Sequence, residues 1–217
     1  TYYEVIDTLG KAITVRGGEL CGGQPGAVID GSLLNASVVT CSSGETSSTR
    51  FIGLKLINGA TYNGGGMFIS GSSPQVEHCW FVNNLSYAAG GGVYSILGDP
   101  DIRNCWFEGN YAYSSGGGIC IDQSLATISS CHFEDNESAE YGGGVGLIYG
   151  GEATISKSLF LSNEASTAGG GGGAACVQSE LEITDCQFVM NTGIYHGGGY
   201  LALEGYGTVM LLRDFVL

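Results

Sequence analysis

Phe-x-x-Asn recurs five times at nearly constant spacing, and no other feature restricts the possible folds so severely. The copies are Phe81/Asn84, Phe107/Asn110, Phe133/Asn136, Phe160/Asn163 and Phe188/Asn191. Successive phenylalanines are 26, 26, 27 and 28 residues apart, and Phe215 follows 27 residues later. Nine residues after each of the five comes a glycine run: Gly90–Gly92, Gly116–Gly118, Gly142–Gly144, Gly169–Gly173 and Gly197–Gly199. Two residues before each Phe stands a third marker, Cys79, Cys105, Cys131, Ser158, Cys186 and Arg213 in turn. A looser copy, Leu54-Lys-Leu56-Ile-Asn58-Gly59, leads to Gly64–Gly66. Markers in one fixed order over this many copies define a structural repeat.

Between the markers lie short alternating stretches rich in Ile, Val, Phe and Tyr, such as Thr127-Ile128-Ser129 and Cys131-His132-Phe133, with no 3.6-residue stripe. A unit of this length with three short strands and glycine corners buries its apolar face only by stacking on its neighbours. The expected fold is therefore all-β: a single-stranded right-handed parallel β-helix of about eight coils, each of 26 to 28 residues. One domain spans 1–217, with 1–50 forming irregular first coils and 51–217 the regular repeats. The phenylalanines are expected to stack in the interior at the strand spacing of about 4.8 Å. Asn at Phe+3 suits a left-handed corner whose amide bonds its equivalents above and below. The glycine runs mark a corner of positive φ or close backbone approach. The Phe-to-glycine spacing is fixed while the rest of the period absorbs insertions, so one side of the coil is constant and the other carries variable loops such as 95–100 and 147–152.

Composition removes several classes of partner. Seven basic residues against 21 acidic ones give a net charge of −14, and the cations are scattered singly, so neither nucleic acid nor an anionic membrane surface is an expected partner. No apolar run is long enough to span a bilayer as a helix. With 43% hydrophobic and 13% charged residues the chain is too apolar to be a disordered acidic tail.

Phe-x-x-Asn followed by Gly-Gly-Gly-Val or Gly-Gly-Gly-Ile resembles the repeats of bacterial polymorphic outer-membrane proteins and related right-handed parallel β-helix proteins of the pectin-lyase-like superfamily. The opening Thr1-Tyr-Tyr-Glu4, with Gly10-Lys-Ala-Ile-Thr-Val15 and Val28-Ile-Asp-Gly31, is similar to the first coils of bacterial secreted β-helix proteins. The resemblance covers essentially the whole chain. It implies the fold and an extracellular or bacterial cell-surface location, but not one activity, because the superfamily holds lyases, hydrolases, epimerases, adhesins and structural proteins.

For members that cleave acidic polysaccharides the resemblance implies clustered aspartates and a Lys or Arg at the substrate, and hydrolysis needs two facing carboxylates. Here the aspartates are dispersed. Asp99, Asp101 and Arg103 come nearest to such a cluster, and a surface turn with a countercharge explains them better. His78, His132 and His196 read as surface or corner residues, since none has a Cys partner at metal-ligand spacing. No catalytic residue is assigned.

Trp80 and Trp106 lie between inward Cys and Phe, so they point outward on adjacent rungs, where they pair across strands or bind a ligand such as a sugar. Glu108 and Glu134 share one column and Glu137 and Glu164 another; a calcium ion bridging them is weighed against a solvated acidic face. Cys79, Cys105 and Cys131 read as buried stacked thiols, whereas Cys21 and Cys41, in loop-like contexts one coil apart, are the disulfide candidates. Among three glycosylation sequons, at Asn35, Asn84 and Asn136, only Asn35 lies off the amide ladder.

The expected role is a non-catalytic extracellular structural or adhesive element, with a polysaccharide lyase or glycan-binding module as the alternative. Both termini are strand-like and bear no polar cap, so the chain is expected to be part of a longer protein or to stack end to end on copies of itself.

Overall fold

The computed structural model describes residues 1–18, 24–167, 169–194, 197–203 and 209–213. One complete turn of the chain runs through four strands, Val93–Ile96, Asp101–Arg103, Trp106–Glu108 and Tyr111–Ala112, before Ile119–Asp122 starts the next. Each of the four belongs to its own sheet, here sheets 1 to 4 in that order, and all inter-strand pairings are parallel. The alternating stretches predict only three strands per turn. The fourth is two residues long, as in Leu85–Ser86, Tyr111–Ala112 and Glu137–Ser138, too short to show an alternating pattern.

Among the described residues, sheets 1 and 2 contain eight strands, sheet 3 seven and sheet 4 six. The described residues thus form a β-solenoid with six complete turns, where about eight coils were expected. No helix occurs among the described residues.

Register is set by the columns. Phe81 pairs with Phe107, Phe107 with Phe133, Phe133 with Phe160 and Phe160 with Phe188. Their rings are nearly parallel with centroids 4.5 to 4.9 Å apart, within the range that offset stacking favours. All five are buried, and each contributes about 2–3 kcal/mol of apolar transfer. A slip of one residue would turn the whole column to solvent, so the phenylalanines enforce the register that stacks them.

The asparagines form the expected ladder. Nδ2 of Asn84, Asn110, Asn136 and Asn163 donates to Oδ1 of the next Asn at 2.9 to 3.0 Å. Each of those Oδ1 atoms also accepts the backbone N–H of the preceding asparagine. A second Nδ2 bond reaches a Phe carbonyl one turn back, as in Asn136 to Phe107 at 2.9 Å.

Asn191 is the last rung among the described residues. Its Oδ1 accepts both bonds from Asn163, and its Nδ2 donates to Phe160 O at 2.9 Å. Asn84, Asn110, Asn136 and Asn163 are buried, whereas Asn191 is half-buried.

The left-handed residue is one position earlier than expected. Asn83, Gly109, Asp135, Ser162 and Met190 carry φ between +52° and +62°, while the asparagines of the ladder face inward, where their amides satisfy the corner.

The glycine runs make close backbone contacts. Gly117 donates to Gly142 O at 3.2 Å and Gly118 to Gly143 O at 3.0 Å, so successive runs hydrogen-bond to one another. A Cβ on Gly117 would lie 2.3 Å from Glu137 O and 2.5 Å from Gly143 O. A Cβ on Gly118 would meet Gly144 O at 2.5 Å and the Phe133 ring at 3.0 Å. One glycine of most runs serves a different need: Gly64, Gly90, Gly116 and Gly142 at the start of theirs, and Gly171 within 169–173, have φ between +63° and +70°.

Cys79, Cys105, Cys131 and Cys186 are buried free thiols, and each donates to the carbonyl two residues earlier at 3.2 to 3.3 Å. Ser158 makes the same bond from its hydroxyl, at 2.8 Å to Ser156 O. One short donor is the requirement at this corner, which explains how Ser stands in a Cys column. Burial, reinforced by the Cys131 and Cys79 thiols, pushes the Cys105 thiol up, so this thiol is protonated.

Candidate functional site: an aromatic groove along sheet 3

Outward residues of sheet 3 alternate with the inward Cys and Phe, so in-register pairing aligns Lys55, Trp80, Trp106, His132, Leu159 and Gln187 in one exterior row. The Trp80 and Trp106 ring centroids are 5.4 Å apart with planes tilted by 30°. The His132 imidazole lies flat on Trp106, 3.7 Å away and 7° from parallel. Lys55 Nζ stands 5.4 Å from the Trp80 ring centre, a cation–π position. Lys55 is absent from the row that the regular markers define; the signal for it lies in the looser copy Leu54-Lys-Leu56, where it occupies the place of the tryptophans.

The stack changes what the tryptophans offer a ligand. Trp106 is flanked on both sides, by Trp80 and by His132, and Trp80 by Trp106 and Lys55. Their faces are engaged, and the ring edges are left for contact. Cross-strand pairing therefore accounts for the indoles themselves, and stacking a sugar on either face would require opening the row.

Beside this row is a groove of about 630 Å³, lined on its far side by the corner residues Asn104, Ser130, Lys157 and Asp185. Asn104, Ser130, Lys157 and Asp185 all have φ near +52°, so each corner turns its exposed side chain toward the same channel. Gln24 of the first turn reaches the groove as well. Two ring nitrogens of the row are buried without a hydrogen-bond partner, Trp106 Nε1 and His132 Nε2. His132 Nε2 is 3.2 Å from Glu134 Oε2 but off the line of a hydrogen bond. Burial holds the His132 pKa below its usual 6.5, against the opposing pull of Glu134 and Glu108. The groove thus combines ring edges, an ammonium group, a carboxylate, amides and a hydroxyl along several rungs.

The other expected sites fare differently. Glu108 and Glu134 are register neighbours on sheet 3, and Glu137 and Glu164 on sheet 4. The two pairs sit on different sheets, separated by the buried Asn ladder, and no group of three or more His, Cys, Asp or Glu suited to a metal forms among the described residues. The four-carboxylate calcium site is corrected to two separate acidic pairs. Arg103 Nε donates to Asp101 Oδ1 at 2.9 Å and its Nη2 pairs with Oδ2, a contact between neighbours on the same face of one strand. Asp99 instead uses its backbone N–H to bond Ser73 Oγ at 3.0 Å. Cys41 is a buried free thiol that accepts a 3.7 Å contact from Thr8 Oγ1, and its expected partner Cys21 lies outside the described residues, as do His196 and Phe215. His78 is an exposed left-handed corner residue with φ of +52°. Asn35 is exposed, whereas Asn84 and Asn136 are buried in the ladder.

Two buried polar clusters were not anticipated. Glu45, 3% exposed, accepts from Thr8 Oγ1, Gly10 N, Ser43 N and Ser72 Oγ at 2.6 to 2.9 Å, tying three turns together. Burial alone would raise its pKa, but the four bonds outweigh it and hold the carboxyl at about 2. On the outer face of sheet 1, Tyr94 donates to Asp122 Oδ2 at 2.6 Å and stacks on Phe68, beneath the connection that carries Ala89. Neither cluster repeats along the chain, so the periodic markers gave no sign of them.

No curated protein and no solved structure matches the chain. The family described as the right handed beta helix region matches residues 92–209, more than half of the sequence, and the same parallel register continues upstream of the match through Met67–Ser70 and Val39–Cys41. With four parallel sheets, stacked columns and this match together, the chain belongs to the right handed beta helix region family.

Proposed function

We propose that this protein is a non-catalytic adhesive element, displayed outside the cell or at a bacterial surface, that binds an extended glycan along the groove beside sheet 3. The groove carries the reading. It runs parallel to the solenoid axis over successive rungs and offers amide, hydroxyl and charged hydrogen-bonding groups next to aromatic edges, the combination that sugar hydroxyls and C–H faces require. Asn104, Ser130, Lys157 and Gln187 supply its exposed donors and acceptors. The resemblance to polymorphic outer-membrane repeats and secreted pectin-lyase-like proteins supports the location and the adhesive role.

The carboxylates best fixed in place serve structural partners: Glu45 is saturated by four donors, Asp122 is held by Tyr94 and Asp101 by Arg103. This favours binding over cleavage. Glycan-array binding followed by calorimetry on wild type and Lys157→Ala tests the reading, with loss of affinity expected in the variant. Binding that is unaffected by Lys157→Ala and by Gln187→Ala would place the ligand elsewhere. Release of unsaturated products from an acidic polysaccharide would replace the adhesive reading with a lyase.

A further inference from the structure

The corner that leads from sheet 4 into sheet 1 is one residue shorter in the turn of Phe68 than in the next three. Leu56 occupies the Phe column in that turn, and Gly64 follows it by eight residues, where Gly90 follows Phe81 by nine. Tyr62 and Asn63 therefore cross a corner that Tyr87, Ala88 and Ala89 cross in the following turn. The backbone pairing resumes on either side of the difference, with Tyr87 N donating to Thr61 O and Gly64 N to Ala89 O. The effect is felt on the outer face of sheet 1, where Thr40, Phe68 and Tyr94 are register neighbours. Tyr94, packed with Ala89, is 6% exposed. Phe68 remains half-buried and borders a cavity of about 430 Å³.

This cavity has an aromatic wall with one face open. Phe68 stacks on Tyr94 with centroids 6.0 Å apart and planes 11° from parallel, and its other face looks toward Thr40, which carries no ring. In this it differs from Trp80 and Trp106, whose faces are engaged in their own row. Around the ring stand Asn35, Ser37, Thr61, Tyr62 and Asn63. Ser37 Oγ donates to Asn63 O at 3.4 Å, and Asn63 Oδ1 accepts from Ala89 N at 3.1 Å. Among the described residues no protein group hydrogen-bonds the hydroxyls of Thr40, Thr61 and Tyr62, the Asn35 amide or Asn63 Nδ2. We propose that the cavity binds one neutral sugar ring, its C–H face against Phe68 and its hydroxyls on these uncommitted groups. No ionised side chain lines the cavity and the chain carries a net charge of −14, so uronates and sulfated sugars are disfavoured. Its volume lies near the small end of ligand sites, which span roughly 300–1,000 Å³, and suits a single unit or a chain end. The cavity shares no lining residue with the groove beside sheet 3, and the assignment does not rest on that groove.

Saturation-transfer NMR on the full chain, with the methyl glycosides of glucose, galactose, mannose and N-acetylglucosamine as probes, tests the site. Expected is transfer to the ring C–H protons of at least one of the four. Its affinity should fall about tenfold in Phe68→Leu, which keeps an apolar side chain and removes the ring. Thr40→Phe sets a second ring against the open face and is expected to abolish binding. Should either variant fail to fold, the double change Asn35→Ala and Tyr62→Ala, both at exposed positions, is expected to weaken binding about tenfold through two lost hydrogen bonds. Unchanged affinity in that double variant overturns the site, as does the absence of transfer to any of the four glycosides at millimolar concentration. Binding that persists in Phe68→Leu and Thr40→Phe but is lost in Lys157→Ala places the sugar in the groove beside sheet 3, which overturns the cavity and leaves the groove reading standing. Benzyl alcohol binding more tightly than every glycoside, and displacing them, identifies an apolar pocket and overturns the sugar assignment.

Discussion

Replacing Glu45 with Gln removes a charge and sets an amide N–H against a donor. In the native protein four donors converge on the two carboxylate oxygens, and three of them come from residues of other segments: Thr8 and Gly10 in the first turn and Ser72 in the third. The amide keeps one acceptor oxygen, and since the Ser72 and Thr8 hydroxyls can turn to accept, either Ser43 N or Gly10 N is left without a partner. A carboxyl whose pKa falls from 4.5 to about 2 stabilises the folded state by about 3 kcal/mol at neutral pH. For a chain of this size that corresponds to about 6–12 °C in melting temperature. Because the folded pKa is depressed, this stability is fully present above 4.5 and is lost as pH falls toward 2. Melting curves of wild type and Glu45→Gln should therefore be widely separated at neutral pH and converge as pH approaches about 2. Coincident melting at neutral pH, or a gap that stays constant down to the acid limit, would refute the reasoning. Repeat proteins lose cooperativity along their length, so the effect should be largest in probes near turns one to three, such as hydrogen exchange at Ser43 and Gly10.

Asn136→Ala should cost about 3 kcal/mol or more, because it removes two donated bonds and strands the two donors on Asn110; chemical denaturation measures this, and a loss below about 1 kcal/mol would show that the ladder contributes little. Gly117→Ala should abolish or severely weaken folding, since its Cβ would sit 2.3 Å from a backbone oxygen, whereas Gly71→Ala, which has open space but φ of +56°, should cost only about 1–2 kcal/mol. Cys105→Ser should fold with a stability change of under about 1.5 kcal/mol, because a hydroxyl makes the required bond at Ser158; unfolding of this variant would show that volume, and not the donor, decides the column. Calcium titration should show no tight binding that depends on all four of Glu108, Glu134, Glu137 and Glu164, since the two pairs lie on separate sheets; binding removed by a single change in either pair would reverse that conclusion.

The columns that repeat were legible because stacking multiplies a weak local signal. One Phe-x-x-Asn says little, but five at a fixed period identify the inward ring, the amide ladder and the glycine corner, and all three occur where the periodicity put them. Features that failed to repeat in residue type were hidden. The left-handed position after Phe is filled by Asn83, Gly109, Asp135, Ser162 and Met190, chosen for backbone conformation with no common side chain, so the neighbouring and chemically constant Asn attracted the assignment. Sheet 4 was missed because two-residue strands carry no alternation. Glu45 was invisible because its donors lie up to 37 positions away and occur once. For Trp80 and Trp106 the sequence located the exterior row correctly, but the orientation of the rings was not legible, and it is the orientation that engages their faces.

This distinction between repeating and unique features also bears on where function resides. Side chains in the inward columns are held by copies of themselves on the turns above and below, and a change there acts on register before it acts on any ligand. The exterior row is under no such constraint, and its residue type changes at almost every rung, from Lys55 through Trp80, Trp106 and His132 to Leu159 and Gln187. A purely structural row would be served by one good pairing residue repeated, as the interior is by Phe. The succession of a cation, two indoles, an imidazole, an aliphatic group and an amide instead gives each position along the groove its own chemistry. A ligand bound there has one direction and one register. Exchanging Trp106 with His132 by the double change Trp106→His and His132→Trp preserves composition and stacking. If register along the groove determines affinity, that exchange weakens glycan binding while leaving the melting temperature within a few degrees of wild type; unchanged binding would mean that the row is read only as a uniform aromatic edge.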